Sequence, residues 1–248
     1  MPFELDPDMF KAETKKIAVN RTLSVDDQNI RVHQILYTPL ATYVDLAYDE
    51  QNSKQIFQLL NPVLTGTTGE RNMSMYYPDV ITSANSEVYT DRNRSTLVFS
   101  PHPLKAFDEV SLKVAGIAAL DRKQMSISVD LNKKEIVAAP DQALTLAEPE
   151  GKEGTGEILL GITFKRDPYL TSFFTRLADS FTDAKGNTHP FVEGVGASSR
   201  GTSGENVEET HMLNFGKEAK DYPQPLTIAI ERYWAPIMES QTLELHSR

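Results

Sequence analysis

VSLKVAGI at residues 110–117 and LTIAIERY at residues 226–233 place apolar side chains at the same alternating positions, 116 residues apart. Val110, Leu112 and Val114 fall on Leu226, Ile228 and Ile230. A period of two predicts a strand with one buried face. The same shift carries STLVFS (95–100) onto HMLNFG (211–216) and MSISVDL (125–131) onto QTLELHS (241–247), so 95–131 lies on 211–247 without a gap. Leu97 then matches Leu213, Phe99 matches Phe215, Ile127 matches Leu243 and Val129 matches Leu245. The inward face is kept in type, as expected of one strand plan used twice.

Working outward, LTGTTGE (64–70) matches FTDAKGN (181–187) with one residue of slippage, and residues 22–39 resemble 143–167 in outline. Two similar domains follow, 16–137 and 138–248, joined near AAPDQ (138–142), with residues 1–15 a lead-in carrying a short helix around MFKAETKK. Further strands are expected at IRVHQILY (30–37), TYVDLAY (42–48) and MSMYY (73–77), each bounded by turn residues. In the first of these Ile30, Val32 and Gln34 share one face and Arg31, His33 and Ile35 the other. Helical spacing is scarce. SKQIFQLL (53–60) is a weak helix pattern. YLTSFFTRLADSF (169–181) reads either as a helix, with Leu170, Phe173, Phe174 and Leu177 at i, i+3, i+4 and i+7, or as a bulged strand. The expected fold is all-β: two tandem antiparallel immunoglobulin-like β-sandwich domains with little helix.

Composition narrows the function classes. With 25 basic and 35 acidic residues the net charge is −10, and the basic residues form no stripe, which argues against nucleic acid as a partner. The absence of cysteine removes disulfides, thiolate metal sites and a cysteine nucleophile. No apolar run approaches the roughly 18 residues of a membrane helix, and MPFELDPDMF lacks the pattern of a signal peptide.

The motifs are weak. GASSRGTSGENVEE (196–209) approximates a phosphate loop, with Gly196, Gly201 and Ser203 in place, but Thr202 stands where the lysine belongs and three carboxylates follow. The cheaper reading is a mobile loop between strands. Ser198, Ser199 and Ser203 lack glycines on both sides at the spacing of a nucleophile turn, although His189 and His211 flank the segment. The five histidines show no zinc spacing, and the acidic clusters at Asp26–Asp27, Asp49–Glu50 and EPEGKEGTGE (148–157) lack a calcium-loop ladder. Catalytic, metal and cofactor sites are therefore all expected to be absent. Tyr233 and Trp234 in ERYWAP fall opposite Ile117 and Ala118, which favours burial; the alternative is an exposed recognition patch.

TLSVDDQNIRVHQILYTPLATYVDLAY (22–48), DAKGN (183–187) and LTIAIERYWAPIMESQTLEL (226–245) resemble the C-terminal extracellular domains of unknown function in Gram-positive, Bacillus- and Paenibacillus-type, anti-sigma-factor-like membrane proteins. The resemblance implies immunoglobulin-like sandwiches outside the membrane, a transmembrane helix upstream, and no catalytic residue. The function expected is non-enzymatic: a sensing or protein-interaction module at the extracellular face of the membrane, with a protein or cell-wall partner. The alternatives are a carbohydrate-binding module using Tyr37, Tyr43, Tyr48, Tyr76 and Tyr77, and a hydrolase using the Gly196–Gly204 loop.

Overall fold

The computed structural model describes residues 14–68, 71–75, 79–82, 93–99, 108–169, 173–192 and 198–247. Residues 1–13, where the sequence predicts a lead-in helix, lie outside this set. Apart from 3-10 turns at Arg122–Gln124 and Lys217–Asp221, the described elements are all strands. None is a helix long and apolar enough to cross a membrane.

In chain order the strands are β1 (Lys15–Val25), β2 (Gln28–Tyr37), β3 (Thr42–Tyr48), β4 (Lys54–Leu60), β5 (Val63–Thr68), β6 (Arg71–Met75), β7 (Asp79–Thr82), β8 (Arg94–Phe99), β9 (Glu109–Val114) and β10 (Gly116–Asp121). Then come β11 (Ser126–Asp130), β12 (Glu135–Ala138), β13 (Leu144–Ala147), β14 (Glu157–Lys165), β15 (Arg176–Thr182) and β16 (Thr188–Pro190). The last are β17 (Ser198–Ser203), β18 (Asn206–Asn214), β19 (Leu226–Arg232), β20 (Pro236–Ile237) and β21 (Gln241–Ser247). They divide between two compact units. One takes the chain up to Ala119 and again from Pro236; the other is the continuous segment Leu120–Ala235.

The first unit contains the antiparallel sheets β1-β2-β3-β8-β7 and β21-β9-β5-β6, with a small sheet β20-β10-β4. Ile30, Val44 and Leu97 of the five-stranded sheet share one buried cluster with Leu64, Leu112 and Leu245 of the four-stranded one. Each such side chain contributes about 1.5–3 kcal/mol relative to exposure. The second unit contains β12-β11-β19-β15-β16 and β13-β14-β18-β17. Its interior includes a ring cluster in which Phe181 lies 5.2 Å from Phe191 and 4.8 Å from Phe215.

The repeat read from the sequence reappears as strand register. Leu112 on β9 stands opposite Leu243 on β21, and at the equivalent place Ile228 on β19 stands opposite Ile127 on β11. Across the neighbouring pair, Leu64 faces Leu112 while Phe181 faces Ile228, reproducing the one-residue slip. The outline match of 22–39 to 143–167 is corrected by the same shift of 116: Val44, Leu46 and Tyr48 of β3, not residues of β2, correspond to Leu160, Ile162 and Phe164 of β14, all buried.

The domain boundary drawn at 137/138 differs from this division. β11, placed by sequence in the first domain, pairs with β19 of the second unit; β21, placed in the second domain, pairs with β9 of the first. The repeat fixes what kind of strand each is. It does not fix which copy completes which sheet, because β11 and β21 carry the same alternating apolar residues and fit either partner in the same register.

Other expectations are corrected locally. In β2 the register shifts between Val32 and Gln34, so that Ile35 and Tyr37, not Gln34, join Ile30 and Val32 inside. The extra residue of a bulge reverses the facing of everything after it. SKQIFQLL is the strand β4, not a helix, with Ile56, Phe57, Leu59 and Leu60 all buried; a strand covered on both sides carries no clean alternation. Within 169–181 the part from Arg176 onward is the bulged strand β15, slipping register between Leu177 and Phe181, while Leu170 lies outside the described residues. GASSRGTSGENVEE is not a mobile loop over its described part: β17 pairs along β18 from Ser198 opposite His211 to Ser203 opposite Asn206. Gly204 closes that hairpin at φ +61, the first central position of a two-residue turn, where glycine alone is unstrained.

Candidate functional site

The chemistry-bearing residues of the described chain concentrate beside the β17–β18 hairpin. Along β18 the alternation sends Val207, Glu209, His211 and Leu213 inward. Glu209 is the exception in kind, a carboxylate only 1% exposed. Its Oε2 accepts from the backbone N–H of Thr175 at 3.0 Å, and its Oε1 lies 3.9 Å from Nε of Arg200, its register partner on β17. His211 Nε2 is 3.8 Å from Glu209 Oε2. Burial pushes the Glu209 carboxyl up, but His211 and Thr175 outweigh that, and its pKa is lowered on balance.

Aromatic rings surround this ion group. Arg200 donates from Nη1 to the Phe173 carbonyl at 2.7 Å, and its guanidinium lies 5.0 Å from the Phe174 ring centre. Arg232 lies 4.2 Å over Phe173, whose ring meets Trp234 edge-on at 5.2 Å. Among the described residues, the buried Glu209 Oε1, His211 Nε2 and Thr175 Oγ1 find no hydrogen-bond partner. Such an arrangement is costly to desolvate, so it holds one geometry only while its charges stay matched.

Ser198 is opposite His211 in register, but Ser198 is exposed whereas His211 is buried with its Nε2 toward Glu209. Ser199 and Ser203 stand opposite Thr210 and Asn206. A phosphate loop opens a helix at its Ser or Thr, whereas here Ser203 ends a strand that turns back on itself. Gly196 lies outside the described residues.

His189 has different company. Its Nε2 is 3.2 Å from Asp183 Oδ2, and its ring stacks 4.2 Å from Tyr222. Asp183 also accepts from both the backbone and the side chain of Asn187 and from the Lys185 backbone, which hold its carboxyl well below the usual range. This is a turn lock at DAKGN.

Tyr233 and Trp234 are buried, at 0% and 4% exposure. The Tyr233 hydroxyl donates to Asp141 Oδ1 at 2.8 Å, and its ring packs edge-on against Phe164 at 5.4 Å. Tyr37 and Tyr48 are also buried and Tyr43 is half-buried, while Tyr76 and Tyr77 lie outside the described residues. Of the acidic clusters, Asp26 and Asp27 form the β1–β2 turn with φ of 50° and 58°. Among the described residues no three His, Asp or Glu side chains gather to hold a metal.

Sequence reasoning missed Glu209. The available signal was phase: in VEETHML it occupies the same alternating face as Val207 and Leu213, where a lone carboxylate requires a buried cation.

No family model matches this sequence. No curated protein matches it either. A solved structure described as the crystal structure of the conserved domain protein from Bacillus anthracis aligns over 93% of this chain and 92% of its own at 8% identity, with a TM-score of 0.21. At that score the likeness carries no argument about fold or function.

Proposed function

We propose that the chain is a non-enzymatic interaction module: two immunoglobulin-like β-sandwiches forming the extracellular part of a membrane-anchored envelope protein of the anti-sigma-factor-like type, engaging a protein partner. The observation that favours an interaction role is β17. It is the edge strand of its sheet, its residues are exposed or half-exposed, and it is fixed from behind by the Arg200–Glu209 pair. A rigid strand edge offers main-chain hydrogen bonds to an extended partner segment. The burial of Tyr37 and Tyr48 removes two members of the aromatic row a carbohydrate module would present.

The test uses the lack of native cysteine. Gly201 on β17 has open space where a side chain would go, so Gly201→Cys introduces one accessible thiol without a clash. In intact cells carrying the full-length protein, a membrane-impermeant maleimide is expected to label it. Labelling only after lysis overturns the extracellular placement. Retention of the purified chain on isolated cell-wall polysaccharide, in place of protein, overturns the protein-partner reading.

A further inference from the structure

The second unit carries a pocket remote in sequence from the β17 edge, at the turn after β11, β13 and the glycine-rich turn before β14. It encloses about 260 Å³, just under the roughly 300–1,000 Å³ of small-molecule sites. Leu131, Leu146 and Ile158 give it an apolar floor, and Leu131 and Ile158 are themselves buried.

Lys134, Lys220, Glu148 and Glu157 supply its polar wall, with Glu157 Oε1 already paired to Lys152 Nζ at 3.0 Å. The two lysines are not equivalent. Lys134 Nζ is bound to Glu148 Oε2 at 2.6 Å, so that ammonium is engaged. Lys220 Nζ stands 3.7 Å from Glu148 Oε1, beyond hydrogen-bond range, with its side chain one-third exposed. Lys220 lines the pocket and is the less tightly engaged of the two.

The backbone around the pocket is set in place. Gly156 has φ +84, and a Cβ there would sit 2.0 Å from the Gly216 carbonyl oxygen, so only glycine fits. A wall held this way keeps the pocket shape before a ligand arrives, which lowers the ordering cost of binding. The chain's net charge of −10 repels anions at long range, but beyond about 8 Å that repulsion is screened at physiological salt; locally Lys134 offsets Glu148 and Lys152 offsets Glu157, which leaves the Lys220 charge.

We propose that this pocket binds a small amphipathic monoanion, a short-chain carboxylate whose head sits on Lys220 and whose apolar body covers Leu131, Leu146 and Ile158. Glu148 competes with the ligand head for the same ammonium. The ligand is a free acid, since the volume admits a short chain and not the tail of a membrane lipid.

The probe is sodium octanoate, titrated into the full chain and followed by amide chemical shifts, with octylamine, octanol and phosphatidylglycerol vesicles as comparators. Octanoate is expected to shift amides near Leu146 and Gly156–Ile158, while octylamine at equal concentration leaves them in place. Lys220→Met is expected to weaken octanoate about tenfold, the loss of one charged contact. Glu148→Gln is expected to tighten it severalfold, by removing the competing carboxylate. Circular dichroism melts establish that both variants fold. The proposal is overturned by octylamine or octanol binding as well as octanoate, by unchanged affinity in Lys220→Met, or by weaker binding in Glu148→Gln. Association with the vesicles in place of octanoate, or no shift up to about 10 mM octanoate, overturns it equally.

Discussion

Arg200 and Glu209 face each other across β17 and β18, with Nε 3.9 Å from Oε1 of a carboxylate almost wholly removed from water. Removing one member of a buried pair leaves the other charge uncompensated. Arg200→Met is therefore expected to cost about 3 kcal/mol in urea denaturation. Adding Glu209→Leu should recover most of that loss, because two apolar side chains need no counter-charge. A coupling near zero in this double-mutant cycle would show that the two side chains act independently.

The crossed strand pairing gives a test in which effect and sequence position are separated. Ile127→Ala, in the segment that the sequence repeat assigns to the first domain, is expected to destabilise the second unit by about 2–5 kcal/mol, with faster hydrogen exchange in β19. Leu245→Ala, near the end of the sequence, should instead speed exchange in β9. Exchange that rises in β9 for Ile127→Ala would overturn the strand assignment.

Acid should destabilise the protein through carboxylates held low in the folded state, with Glu209 and Asp183 prominent. Because their folded values lie below the unfolded ones, the unfolded chain takes up protons first as the pH falls. The stabilisation is complete above the ordinary values of 4.5 for Glu209 and 3.8 for Asp183, and is lost as pH drops through the lower folded values. Urea midpoints from neutral pH downward should fall below about pH 4.5. Asp183→Ala should flatten part of that slope, and an unchanged slope would remove Asp183 from the account.

Alkali acts with the opposite sign. Burial pushes the Tyr37 hydroxyl up to about 12, and burial followed by Asp141 pushes Tyr233 up as well. Their neutral forms are favoured by folding, so this stability is intact below the ordinary value of 10.0 and is lost as pH rises toward the folded values. Spectroscopic titration of tyrosinate should show Tyr37 and Tyr233 as late groups whose ionisation coincides with unfolding. Tyr233→Phe should remove one of them and cost about 1 kcal/mol at neutral pH, for the lost bond to Asp141.

The strands and their inward residues were readable because burial on one face leaves a period of two. Leu97, Leu112, Ile228 and Leu213 were placed inside from spacing alone, and all are buried. Three things were not readable, for different reasons. The exchange of β11 and β21 was hidden because both carry the same pattern. The inward turn of Ile35 was hidden because one extra residue at His33 reverses parity, and nothing local marks it. SSRGTS looked like a loop because its composition is poor in strand formers; β18 imposes strand pairing on it through the main chain. At the site itself the segment was noticed for its glycines, whereas its chemistry rests on Glu209 behind it.

The strand exchange also sets an order of completion during synthesis. β21 comes after every other strand of either unit, and it closes the sheet formed by β9, β5 and β6. The second unit, a continuous segment, can be finished while the first still lacks an edge and exposes Leu112 and Val114. Vectorial folding normally completes the N-terminal domain first. Here the ribosome delivers the first unit's last strand after the second unit is whole, so premature termination near Ala235 would leave a folded C-terminal body attached to an open sheet.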